Sequence, residues 1–118
     1  MKKLIDTSVL IDNLRRRVFE EGALSVITLI EVLRGVPEDK RENVKYLLED
    51  SYRVLSFDNK VILAYCKLYS ELRERGELVP DADLLVAATA VAYDLTLVTK
   101  DRHFERLERY GLNVELRS

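Results

Sequence analysis

Four acids carry most of the chemistry this sequence can offer: Asp6, Glu31, Asp83 and Asp101. One His (His103) and one Cys (Cys66) argue against zinc, and no Ser–His pattern suggests a covalent nucleophile. No Gly-rich loop is present to cradle a phosphate. Carboxylates without thiolate or imidazole partners suit a hard cation, Mg²⁺ or Mn²⁺, which keeps several of its waters. Such a site activates water and stabilises charge on a phosphate undergoing in-line displacement.

Each acid also has an ordinary reading. Asp6 ends the apolar pair Leu4-Ile5 and could accept from the amides of the turn it begins. Thr28-Leu29-Ile30-Glu31 has the form of a capping box, with Glu31 closing a helix start. Asp83 falls in a first helical turn, where it complements the macrodipole, and Asp101 is placed to cap a helix. Asp81 competes with Asp83. Two positions on a helix are about 200° apart, so both cannot face one pocket. Asp81, beside Pro80, is the better cap, and Asp83 the better inward ligand.

The elements that must position these acids alternate along the chain. Residues 2–6 read as a first strand, and Thr7 or Ser8 can cap a helix to about Arg17. Residues 23–27 read as a second strand, and Thr28 opens a short helix that stops near Gly35 and Pro37. A charged helix from Glu38 to about Asp50 leads to a third strand at 53–57. Asp58 caps a long helix with Val61, Tyr65, Leu68 and Leu72 on one face, ended by Gly76. The helix from Pro80-Asp81 is apolar nearly all round over 84–92, so it should be buried. Residues 96–99 form a fourth strand, Asp101 begins a helix closed by Gly111, and 113–116 form a fifth strand.

This alternation predicts an α/β fold with a parallel sheet covered on both faces. Ligands of such sheets bind at the carboxyl ends of the strands. Asp6, Glu31 and Asp101 follow strands one, two and four, and Asp83 begins the helix feeding strand four. Chain direction therefore brings all four to one edge. If strands one, two and four are neighbours, the carboxylates share a pocket, and their mutual repulsion calls for a cation. The hydroxyls of Ser8 and Thr99 stand beside that pocket, able to orient a water or an acid. Arg34, Lys100 and Arg102 are the nearby cations that would hold a phosphate backbone.

The chain has 118 residues, 47% of them hydrophobic, which predicts one domain spanning 1–118 with a proper core. Net charge is −2, so the whole molecule is not a basic nucleic-acid binder, although Arg15, Arg16 and Arg17 and then Lys100, Arg102 and His103 form local basic runs. No apolar run approaches the roughly 18–20 residues of a membrane span, and no secretory signal is visible. Lone Cys66, on an expected helix, reads as a buried thiol, and a cytoplasmic protein is the default.

The same segments resemble the PIN-domain nucleases, and within them the VapC toxins of prokaryotic toxin–antitoxin pairs. LIDTSVLID at Leu4–Asp12 is similar to the family's first strand and acid, and ITLIEVLRG at Ile27–Gly35 to the second, with Glu31. DADLLVAATA at Asp81–Ala90 is similar to the third, its acid falling on Asp83, and LTLVTKDRHF at Leu95–Phe104 to the last, with Asp101. The resemblance implies a three-layer α/β/α fold with a five-stranded parallel sheet of order 3-2-1-4-5, which makes strands two, one and four neighbours. It also implies a metal-dependent endoribonuclease, a cognate VapB-like antitoxin that blocks the active-site groove, and a toxin homodimer.

Two other readings compete. A phosphoacceptor receiver module would use Asp6 for metal, Asp58 as the phosphorylated acid and Lys100 as the strand-end lysine. Thr7 stands where such a module would carry a second acid, and two helical segments fall between strands two and three. The other alternative is a catalytically inert PIN-like binding protein.

Overall fold

The computed structural model describes residues 2–118. Five strands, β1 (Lys3–Ile5), β2 (Ala23–Ser25), β3 (Arg53–Leu55), β4 (Thr96–Thr99) and β5 (Asn113–Leu116), form one parallel sheet of order β3-β2-β1-β4-β5. The order expected from the family resemblance is the order found.

Alternation along the strands builds two cores, because successive residues point to opposite faces. Leu4, Ala23, Leu55 and Leu97 face helices α4 (Asn59–Glu74) and α5 (Asp81–Ala92), together with a 3-10 helix, Arg102–Tyr110. Ile5, Leu24 and Val98 face α1 (Thr7–Arg16), α2 (Val26–Leu33) and α3 (Glu38–Ser51). Helix α5 is buried through Leu84, Val86, Ala87, Ala88 and Ala90, and its alanines leave room for the face of α4 carrying Val61, Leu68 and Leu72. Among the described residues no helix is long and apolar enough to cross a membrane.

Several local expectations are corrected. Strand β2 ends at Ser25, not at residue 27, because the Ser25 side chain accepts from the Ile27 amide and starts α2 two residues early. Thr28 is therefore inside the helix, and the Thr28–Glu31 capping box does not exist. Asp6, rather than Thr7 or Ser8, occupies the N-cap position of α1, and its carboxylate makes no capping bond. Pro80 holds the N-cap position of α5, so Asp81 is not its cap. Strand β3 stops at Leu55. Cys66 is exposed, because it lies on α4 off the Val61–Leu68–Leu72 face.

Asp58 does cap α4, accepting from the Val61 amide at 3.1 Å. It also accepts from the Tyr93 hydroxyl, which sits at the C-cap of α5. That is the opposite end of α5 from Asp83, roughly 15 Å away along the helix axis at 1.5 Å per residue. In addition, β2 separates β3 from β1. A receiver site pairing Asp58 with Asp6 is thus not assembled here.

Candidate active site

The centre of the carboxyl edge is the end of β1. The Asp6 amide continues the β1–β4 ladder, donating to the Val98 carbonyl at 2.9 Å, and the chain then turns directly into α1. Because β1 lies between β2 and β4, residues leaving it reach both neighbours. Thr7 turns toward the β2 side, where its hydroxyl donates to Glu31 Oε1 on α2 at 2.7 Å. Ser8 turns toward the β4 side, where Oγ accepts from the Lys100 amide and donates to Asp6 Oδ2, both at 3.2 Å.

Asp6 itself is only 8% exposed. Its Oδ2 accepts a 2.7 Å bond from the fully buried Thr99 hydroxyl, and that hydroxyl accepts from the Asp101 amide at 3.0 Å. One buried threonine therefore ties the first acid to the backbone of the last. Burial pushes the Asp6 carboxyl above its ordinary pKa. The bonds from Thr99, the Thr7 amide and Ser8 oppose that rise, and the charge of Glu31 adds to it.

Asp101 is the N-cap of the 3-10 helix. Its Oδ1 accepts from the His103 amide at 2.9 Å and lies 2.8 Å from His103 Nδ1. The His103 amide holds the Asp101 carboxyl below its ordinary pKa; burial opposes it, and the His103 ring adds to the lowering.

Asp83 is half-buried in the first turn of α5 and, among the described residues, its carboxylate has no hydrogen-bond partner. Burial raises its pKa, and the charges of Asp101, Asp6 and Glu31 raise it further, in that order. Asp83 is thus the side chain on which the other three acids converge. Asp81 turns away, accepting at 2.8 Å from the Tyr65 hydroxyl of α4, and does not figure among the charges acting on Asp83.

The cations expected at this rim are present but partly engaged. Lys100 Nζ is 3.4 Å from Asp12, and Arg34 is 3.9 Å from Glu31. Arg102 is exposed, with no ion pair among the described residues. Two residues take parts that their sequence context does not show: Thr7, a cap candidate, donates to Glu31, and His103, part of a basic run, braces Asp101. The readable signal for Thr7 was the paired hydroxyls after Asp6, which a residue between two neighbouring strands can send in opposite directions.

Among the described residues, no three His, Cys, Asp or Glu side chains as placed form a group that could hold a metal ion directly. The donor set fits a hard cation: oxygen ligands only, one of them unpartnered and two of them with pKa values raised.

The family model described as the PIN domain matches residues 3–110, which includes all four acids. The chain belongs to the PIN-domain family. This PIN domain is 41% identical over 117 residues to Ribonuclease VapC1 of Methanocaldococcus jannaschii, covering 96% of this chain and 86% of that protein. Its fold is similar to that of VapBC-5, a member of the VapBC family of toxin–antitoxin systems from Mycobacterium tuberculosis, with TM-score 0.71, 28% identity, and coverage of 98% of this chain and 96% of that one. It is also similar in fold to VapBC2 from Rickettsia felis, solved bound to a DNA fragment from their promoter, with TM-score 0.81, 22% identity and full coverage of both chains.

Proposed function

We propose that this PIN domain, acting as one unit over residues 1–118, is an endoribonuclease of the VapC type that hydrolyses RNA phosphodiesters with Mg²⁺ or Mn²⁺. The observation that carries this reading is the joining of Asp6 to Asp101 through the buried Thr99 hydroxyl, with the unpartnered Asp83 carboxylate within reach of their charge and that of Glu31. Clustered negative charge of this kind is not a stable end in itself and repels the polyanion it would have to bind. The 41% identity to a ribonuclease over nearly the whole chain selects the substrate class.

In this reading Asp6, Glu31, Asp83 and Asp101 would hold the cation, with Asp6 and Asp83 as the principal ligands. A bound divalent cation supplies an activated water and neutralises charge at the phosphate. Thr99 and Ser8 hold the Asp6 carboxylate in one orientation, Thr7 does the same for Glu31, and His103 for Asp101. Arg34, Lys100 and Arg102 stand where the flanking phosphates of the strand would pass. Asp81 takes no direct part.

The relatives in toxin–antitoxin systems favour a cognate VapB-like antitoxin as the physiological partner, and the same reading includes the homodimer that the family resemblance implies. An exposed, unpaired thiol at Cys66 is at home in the reducing cytoplasm, where we place its action. The test is RNA cleavage by the purified chain with Mg²⁺ or Mn²⁺, and again with excess chelator. Metal-dependent cleavage is expected; cleavage that survives the chelator would overturn the metal-based reading.

A further inference from the structure

Beside the acids lies a cavity of about 300 Å³ that no step of the hydrolysis uses. Its walls are apolar, formed by Leu78 and Val79 from the connection between α4 and α5 and by Phe104 and Leu107 from the 3-10 helix. Its polar lining is Asp83, His103 and Arg106. Asp83 belongs to both the cavity and the group of acids, so the two are continuous. We propose that this cavity seats one nucleobase of the RNA next to the bond being cleaved, an inference that rests on the ribonuclease reading above.

The chemistry of the cavity selects its occupant. A volume of about 300 Å³ is at the small end for ligand sites and suits a single planar ring system. Apolar walls match the faces of a base and a polar rim matches its edge, which is how unstacked bases of single-stranded RNA are held. A base is uncharged, so it can lie against Asp83 without the repulsion a phosphate would meet there. An anionic side chain would meet Asp83, and a cationic one would meet Arg106.

The rim is also built to stay in place. The His103 ring is 83% exposed and its Nδ1 lies 2.8 Å from Asp101, so it links the acids to the cavity it lines. Arg106, exposed at the cavity, donates a long bond, 3.4 Å, to the Glu77 carbonyl, and its planar guanidinium is available for stacking. His103 and Arg106 thus act as positioning residues. A base held there fixes which phosphodiester lies over Asp6 and Asp83.

The test is single-turnover cleavage of an RNA oligonucleotide with one mapped cleavage site, using the full chain and Mg²⁺ or Mn²⁺. In a matched set, each nucleotide flanking the cleaved bond is replaced in turn by an abasic ribose. Loss of the base at one flanking position should slow the unaltered protein by about tenfold or more, the scale of a single base-stacking contact. In Val79→Trp, which fills the cavity, and in Arg106→Ala, intact and abasic substrates should be cleaved at equal rates. If Val79→Trp does not fold, the exposed Arg106→Ala variant carries the comparison alone. An abasic effect of the same size in the folded variants, or none at any position in the unaltered protein, overturns the proposal and leaves the cavity to a polypeptide. Failure of the unaltered protein to cleave any RNA overturns the ribonuclease reading, and this inference falls with it.

Discussion

The Thr99 hydroxyl donates a 2.7 Å hydrogen bond to the Asp6 carboxylate, joining residues 93 positions apart in the chain. It works only because β1 and β4 are parallel neighbours in register, Ile5 opposite Val98, so the next residues on each strand stand side by side. Both groups are buried, so the bond has no ready substitute in water.

Thr99→Val keeps the shape and removes the donor. The Asp6 carboxylate then stays buried with one fewer hydrogen bond, at a cost of about 1–2 kcal/mol in stability. Because that bond opposes the effect of burial, its loss raises the Asp6 pKa further. The acidic limb of the pH–rate profile should move to higher pH. Denaturant unfolding checks the first effect and a pH series of RNA cleavage the second; an unmoved acidic limb would count against Thr99 as the residue that holds Asp6 ionised.

The raised pKa values of Asp6 and Asp83 give the metal-free protein a defined pH dependence. A carboxyl whose folded pKa is raised is more comfortable protonated. Its effect on stability is therefore neutral or favourable in acid, and turns unfavourable as pH rises from the unfolded value near 4 through the raised folded value. A divalent cation competes with the same protons, so its affinity should climb across that window. With chelator at neutral pH, Asp83→Asn should be more stable than the unaltered chain, by up to about 1 kcal/mol after solvent screening. Thermal melting in chelator at several pH values measures this; a variant that melts lower at neutral pH would show that Asp83 is not under repulsion.

Glu20, in the connection between α1 and β2, gathers partners from β1, α1 and the residues after β5. Arg117, just after β5, grips it at 2.7 and 2.5 Å, with Asn13 and Lys3 each 3.2 Å away. These bonds, Arg117 first, hold the Glu20 pKa down to about 2. A depressed carboxylate contributes stability above its unfolded value of about 4.3 that is lost as pH falls toward 2. Glu20→Gln should cost roughly 1–2 kcal/mol at neutral pH, screening by solvent included, and the gap to the unaltered chain should close near pH 2. Unfolding curves at the two pH values decide it; a gap that persists in acid would mean that Glu20 acts by packing and not by charge.

Period and turn chemistry made most of the fold legible. The alternation of strands with helices, the all-round apolar α5 and the cap at Asp58 were all readable, because each is a local signal. Strand order was not local and came from resemblance to a family. The misread points were those where two local signals overlapped. Ser25 and Thr28 both look like helix starts, and only the packing of a fully buried Ser25 decided between them. Cys66 looked buried by residue type, but the apolar face of α4 does not include it. At the site, chain direction alone brought the acids to one edge. The partners that orient them, Thr7 for Glu31 and His103 for Asp101, depend on side-chain direction, which spacing does not encode.

The most direct measurement is the single-turnover rate of RNA cleavage in Mg²⁺ or Mn²⁺ by the unaltered chain, Asp83→Asn and Asp81→Asn. Asp83 sits among the other three acids, while Asp81 is turned to Tyr65. Loss of a principal carboxylate should slow cleavage about 100-fold or more with cooperative unfolding retained, and Asp81→Asn should cleave within about twofold of the unaltered chain. Undiminished cleavage by Asp83→Asn, or a loss confined to Asp81→Asn, would contradict the account.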